Sequence, residues 1–193
     1  HVHETRDEVD ESRRLHGLTP LARLKRLGLL GPGFIGVHCV HLADDDLELL
    51  AATGCSVAHC PTSNLKLASG IAPVARMRQL GINVGLGTDG AASNNRLDMF
   101  GEMRLAALLA KGSSGDATTL PAREALRMAT LDGATALGLG NEIGSITPGK
   151  AADLVAVNLK GLNTKPCYGP LSHLVYVADR ECVTHVWIAG KCC

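Results

Sequence analysis

The sequence lacks an excess of charge of either sign: Lys+Arg and Asp+Glu both count 19 over 193 residues, so the formal net charge is zero. That balance advertises no basic face for nucleic acid or an anionic membrane, and a small neutral or zwitterionic ligand fits it better. Long apolar runs are missing too; none approaches the roughly 20 residues a bilayer-spanning helix requires, so no membrane partner is expected. No signal-peptide pattern, low-complexity segment or repeat longer than a strand–helix unit is visible. C-x-x-C spacing is absent: Cys39, Cys55, Cys60, Cys167, Cys182, Cys192 and Cys193 make an odd set of seven, read most simply as cytosolic thiols of a cytoplasmic protein. Cys39 and Cys60 sit in apolar runs beside histidines, where cysteine serves as a small buried hydrophobe.

What is present is a globular composition, 46% hydrophobic, enough for a core. The chain opens on HVHET with no initiator methionine, and the expectation is a segment of a longer protein. Short apolar strands alternate with longer helical stretches, which argues for a parallel sheet with crossover helices. A polar, charged segment follows HVHET, and Leu21, Leu24 and Leu27 then recur at helical spacing within 18–30 until Gly31-Pro32-Gly33 stops them. Residues 34–40 read as a buried strand, Asp44-Asp45-Asp46 as an acidic helix start, 56–60 as a strand closed by Pro61, 71–80 as a helix and 82–89 as a third strand. Residues 97–111 form a strong helix, and Pro121 starts another. From Gly138 onward turns and short strands are expected, at 152–157, 174–177 and 183–188.

Each early strand delivers a polar residue near its C-terminal end: His1, His38, His59 and Asp89. In an α/β barrel those ends open on one face, so residues far apart in sequence converge. Neutral imidazole and carboxylate suit Zn²⁺, whose catalytic sites keep one position for water. His1 and Asp89 supply two ligands at most, so a competent site needs more from outside this segment. His3 alternates with His1 along the strand and is expected to face the other way.

HVHET, GVHCVHL, AHCPTSNLKLASGIAPV, LGTDGAASNN and IGSITPGKAADLVAV together resemble the amidohydrolase superfamily, in its 5-methylthioadenosine/S-adenosylhomocysteine deaminase branch. The likeness covers essentially the whole chain and is most specific over residues 61–104. It implies an α/β architecture in which residues 1–137 are the second half of a (β/α)₈ barrel, strands five to eight. Residues 138–193 would then be C-terminal strands of a small β-sandwich. It implies a zinc-dependent hydrolytic deaminase that releases ammonia from the adenine ring of such nucleosides, with Fe²⁺ or another divalent cation as an alternative to zinc. His1 corresponds to the strand-five metal histidine, Glu4 to the glutamate three residues later, His38 to the strand-six histidine and Asp89 to the strand-eight aspartate. In these roles His1 and Asp89 ligate metal, Glu4 shuttles a proton to ring N1, His38 orients water, and Glu4 and Asp89 touch substrate, with His59 as a further contact. The family's H-x-H pair has no counterpart here, so the segment by itself is expected to be inactive and to need the missing half. Homo-oligomerisation is compatible with the resemblance.

Two other readings stand beside this one: an amidohydrolase of guanine or triazine type, and a non-catalytic truncated segment kept for assembly. Individually, a strand-end histidine can be a hydrogen-bonded structural residue, and Asp89 in T-D-G can merely shape a turn. Asn64, Lys66, Ser93 and Asn94 are placed in loops that could line a pocket. His41 begins a loop, while His16, His173 and His185 carry no pattern.

Overall fold

HVHET leads directly into a helix. In the computed structural model, which describes residues 1–193, α1 (Arg6–His16) begins where Thr5 Oγ1 accepts from the Glu8 N–H (3.2 Å) and ends on left-handed Gly17. The stretch read as merely polar is therefore helical, and it buries only Val9 and Ser12. α2 (Pro20–Arg26) is shorter than the leucine spacing suggests, because Pro20 starts it and Leu27, Leu29 and left-handed Gly28 lie beyond its end.

β1 (Ile35–Val37) follows, then α3 (Asp44–Thr53), whose entry is fixed by Asp46 accepting from the Ala43 N–H (3.1 Å) and whose end is left-handed Gly54. β2 (Ser56–His59) runs straight into α4 (Pro61–Lys66), with proline at its first turn. This is a helix where a loop was expected. α5 (Val74–Gln79) starts only after Pro73, so the expected helix at 71–80 loses its first turn. β3 (Asn83–Leu86) leads to α6 (Ala91–Asn94), also expected as loop, and to α7 (Met99–Ser114), which Asp98 caps through the Phe100 N–H (3.1 Å).

The three strands form one parallel sheet in the order β1-β2-β3, with Gly36 opposite Val57 and Val57 opposite Val84. Val2 extends this sheet beyond β1: its N–H donates to Val37 O (3.2 Å) and its carbonyl accepts from the Cys39 N–H (3.2 Å), parallel to the strand. Four chain segments thus run the same way, and their C-terminal ends share one edge. Val2, Val57 and Val84 pack with Leu21, Leu47, Leu50, Met77 and helix residues Met103, Ala107, Ala125 and Met128 in a single core.

Beyond α7 come α8 (Ala122–Met128) and α9 (Leu131–Ala136). Here Gly85 and Gly133 meet: a Cβ on Gly85 would lie 2.9 Å from Gly133 Cα. β4 (Leu154–Val157) is followed by α10 (Pro170–Tyr176), β5 (Val183–Ile188) and β6 (Lys191–Cys192). β4, β5 and β6 form a separate antiparallel sheet with Leu154 opposite Trp187 and an irregularity between Ala156 and Val157. The expected strand at 174–177 is a correction: these residues lie in or just after α10, which packs on α7 and α8 and sends Val175 into the main core. β-branched composition suggested a strand, and tertiary packing after Pro170 decides for helix. No helix is long and apolar enough to cross a membrane.

Candidate metal centre at the strand ends

The shared C-terminal edge of the parallel sheet brings His1, Glu4, His38 and Asp89 together. His1 Nδ1 lies 3.1 Å from His38 Nε2, and His1 Nε2 lies 3.7 Å from Asp89 Oδ1. Glu4 Oε2 stands 3.7 Å from His1 Nδ1 and 3.6 Å from His38 Nε2. The backbone leaves its strand conformation to achieve this: φ is +53° at His3, +74° at His38, +48° at Cys39 and +60° at Asp89, a region that L-residues other than glycine rarely adopt.

Three of the four side chains, His38, Asp89 and Glu4, are held from behind. His38 is fully buried; its Nδ1 lies 2.8 Å from Asn64 Oδ1, and its Nε2 faces His1 and Glu4. Asp89 Oδ2 accepts from both Ser63 Oγ (2.7 Å) and Ser93 Oγ (2.5 Å), so Oδ1 is the oxygen turned toward His1. Partial burial would raise the Asp89 carboxyl. The two hydroxyls, the Gly90 N–H and His38 outweigh that and hold it below its usual 3.8. Glu8 accepts from the N–H groups of His3 (3.0 Å) and Glu4 (2.8 Å), which shapes the turn carrying Glu4, and Ser69 Oγ reaches Glu4 Oε1 at 3.4 Å.

The donor set suits a divalent cation. One ligand atom each from His1, His38 and Asp89 lie within 4.8 Å of one another. Tetrahedral zinc with ligands at ~2.0–2.2 Å spaces neighbouring donors by roughly 3.4 Å, close to the 3.7 Å between His1 Nε2 and Asp89 Oδ1. No lysine or arginine forms an ion pair with Asp89 or Glu4, so their negative charge is left for a cation.

Other sequence candidates fall elsewhere. His3 is fully buried on the opposite side, donating from Nδ1 to His41 O (2.8 Å) and accepting the Leu21 N–H at Nε2 (3.2 Å). His41 Nε2–H donates to Ser69 O (2.7 Å), so His41 fastens a loop. His59, read as a substrate contact, is 2% exposed and its buried Nδ1 has no partner. Burial, aided by His38, pushes its pKa down to about 4, so it is neutral at pH 7. Lys66 ties α4 to α6 by donating to Ala92 O (2.8 Å). Cys39 and Cys60 are buried packing residues whose thiols burial pushes up to about 12. The sequence reading missed Ser63, Glu8 and Ser69, although Ser63 in Pro61-Thr62-Ser63-Asn64 directly follows a strand end.

An amidohydrolase family model matches residues 1–193. Similar proteins include a 5-methylthioadenosine/S-adenosylhomocysteine deaminase of Teredinibacter turnerae, 48% identical over 99% of this chain and 43% of its own length. A 5'-deoxyadenosine deaminase of Methanothermobacter thermautotrophicus is 50% identical over 99% of this chain and 44% of its own length. Among solved structures, a zinc-bound adenosine deaminase from Xanthomonas campestris superposes with a TM-score of 0.97 at 54% identity, covering 100% of this chain and 44% of that one. The chain spans less than half the length of these relatives.

Proposed function

Since the chain belongs to the amidohydrolase family, we propose that it is the C-terminal portion of a metal-dependent hydrolase that deaminates the adenine ring of 5-methylthioadenosine- or S-adenosylhomocysteine-type nucleosides. The observation that carries this reading is the meeting of His1, Glu4, His38 and Asp89 at one sheet edge. In this reading residues 1–137 supply strands five to eight of a (β/α)₈ barrel and residues 138–193 supply strands of a small β-sandwich. The remaining strands and an H-x-H ligand pair come from the rest of the protein.

His1 and Asp89 would hold the cation, zinc by the chemistry of imidazole and carboxylate, through the nitrogen and oxygen that face each other. When bound, a divalent cation lowers the pKa of a coordinated water toward neutrality. His38, its Nδ1 held 2.8 Å from Asn64 Oδ1, would orient the attacking water. Asp89 would take up a proton from that water while Oδ2 stays anchored on the two serines. Glu4, within 3.7 Å of both histidines, would carry a proton to ring N1 as C6 is attacked, and the amino group would leave as ammonia with the second proton of the water, giving an inosine-type product.

The test uses the full-length protein that carries this chain. Glu4→Gln should lower ammonia release from 5-methylthioadenosine by about 10²-fold or more, the usual worth of a positioned acid–base group, while metal content per protein stays at the parental value. Parental turnover in the variant would refute the proton-shuttle role. A parent that releases no ammonia from any adenine nucleoside would refute the deaminase reading.

A further inference from the structure

Glu102 is the one acidic residue among the largest fully buried side chains, 1% exposed, and the scheme above leaves it unused. It sits in the first turn of α7, and no cationic side chain lies within ion-pair distance. Its Oε2 accepts from the Thr62 N–H (3.1 Å), an amide in the first turn of α4 that has no partner inside its own helix. Its Oε1 accepts from Asn94 Nδ2 (2.7 Å), and the same amide nitrogen donates to Thr88 O (2.7 Å).

The neighbours of these partners are the groups that hold the metal centre. Thr62 precedes Ser63 and Asn64, which fasten Asp89 and His38; Asn94 follows Ser93, the second hydroxyl on Asp89; Thr88 precedes Asp89 itself. We propose that Glu102 is a positioning residue for this site: one buried carboxylate that clamps α4 and α6 together and thereby fixes the Asp89 carboxylate and the His38 ring relative to each other.

An ionised carboxylate offers only acceptors, and both of its partners here are donors. Glu102→Gln puts an NH₂ against one of them. Asn94 can turn to meet it only by giving up Thr88 O, so at least one tie breaks. Asn94→Ala removes the α6 tie and leaves the α4 tie in place. A purely structural role would lower stability alone, whereas a positioning role changes the site while substrate binding survives.

For its catalytic consequence the inference rests on the deaminase reading, so the experiment has one readout that does not. In the full-length protein, kcat and KM for 5-methylthioadenosine are measured together with the ¹⁵N imidazole resonances of His1 and His38 in metal-free protein. Glu102→Gln and Asn94→Ala should each lower kcat by about 10- to 100-fold, the usual effect of losing an outer partner of a metal site. KM should change little, and the His38 resonances should shift. Glu124→Gln, on the Arg78 side of α8, should change none of these. If both variants keep the parental kcat and His38 resonances, the positioning role is overturned whatever happens to their melting temperature. If the resonances move but the parent turns over no nucleoside, the positioning role stands and the deaminase reading falls.

Discussion

Between pH 7 and pH 4, lowering the pH should destabilise this protein through His59. The imidazole is 2% exposed and burial holds its pKa at about 4, against 6.5 in the unfolded chain. Between those values the unfolded state takes up a proton that the folded state refuses. The stabilising contribution of the neutral ring is therefore complete above pH 6.5, erodes as the pH falls from 6.5 to 4, and is exhausted below 4. At about 1.4 kcal/mol per pH unit, the span from 6.5 to about 4 corresponds to roughly 3 kcal/mol in all. Between pH 7 and pH 5, roughly 2 kcal/mol of it is lost. Two measurements check this. The His59 Cε1–H resonance should stay in its neutral position down to about pH 4. Urea unfolding of the parent and of His59→Gln at pH 7 and pH 5 should show the variant losing less stability over that interval by roughly 2 kcal/mol. Comparing the change with pH, and not the stability itself, cancels any constant cost of repacking glutamine at this position. A His59 resonance that titrates near 6.5, or equal losses in the two proteins, would refute the reasoning.

Replacing both Ser63 and Ser93 by alanine removes the hydroxyls that hold the Asp89 carboxyl below 3.8. In metal-free protein its pKa should rise, read from the Asp89 carboxyl carbon resonance across a pH titration. The stability that the ionised Asp89 contributes, present above pH 3.8 and lost as the pH falls through the folded-state value, should shrink with it; an unmoved carboxyl titration would count against the assignment. Gly85→Ala should destabilise by about 1–3 kcal/mol, the usual range for overpacking, because the new Cβ meets the backbone of Gly133 at 2.9 Å from its Cα and 3.2 Å from its nitrogen. Neither atom can swing aside as a side chain would, and urea midpoints measure the loss.

Strands β2, β3, β4 and β5 were legible because each begins or ends near a turn residue or proline and carries a short apolar run, whereas β6 (Lys191–Cys192) has no such run. The meeting of His1, His38 and Asp89 was legible with them, since parallel strands put those residues on one edge whatever the helices do. α1 was not legible by periodicity: a helix that buries only Val9 and Ser12 has almost no apolar face to display. Its signal was the pair of ends, Thr5 with Glu8 three residues on, and Gly17. α4 could have been found from Pro61 at its first turn. α10 offered the same proline signal at Pro170, but Leu174 to Val177 read as a strand until Val175 is seen buried in the main core. Glu102 was hidden by its setting in a strongly helical stretch, where a glutamate reads as surface until the structure shows what faces it.

Four residues at or beside the candidate metal centre, His3, His38, Cys39 and Asp89, hold left-handed backbone that costs of order 1–3 kcal/mol apiece when forced on an ordinary side chain. The surrounding fold sustains that conformation, and glycine would relieve it at each position. At His3 and Cys39, both buried, glycine would trade backbone ease against the loss of a packed side chain. At His38 and Asp89 the same relief would remove two of the four side chains that meet at the sheet edge, so the cluster is kept at the expense of a more relaxed backbone.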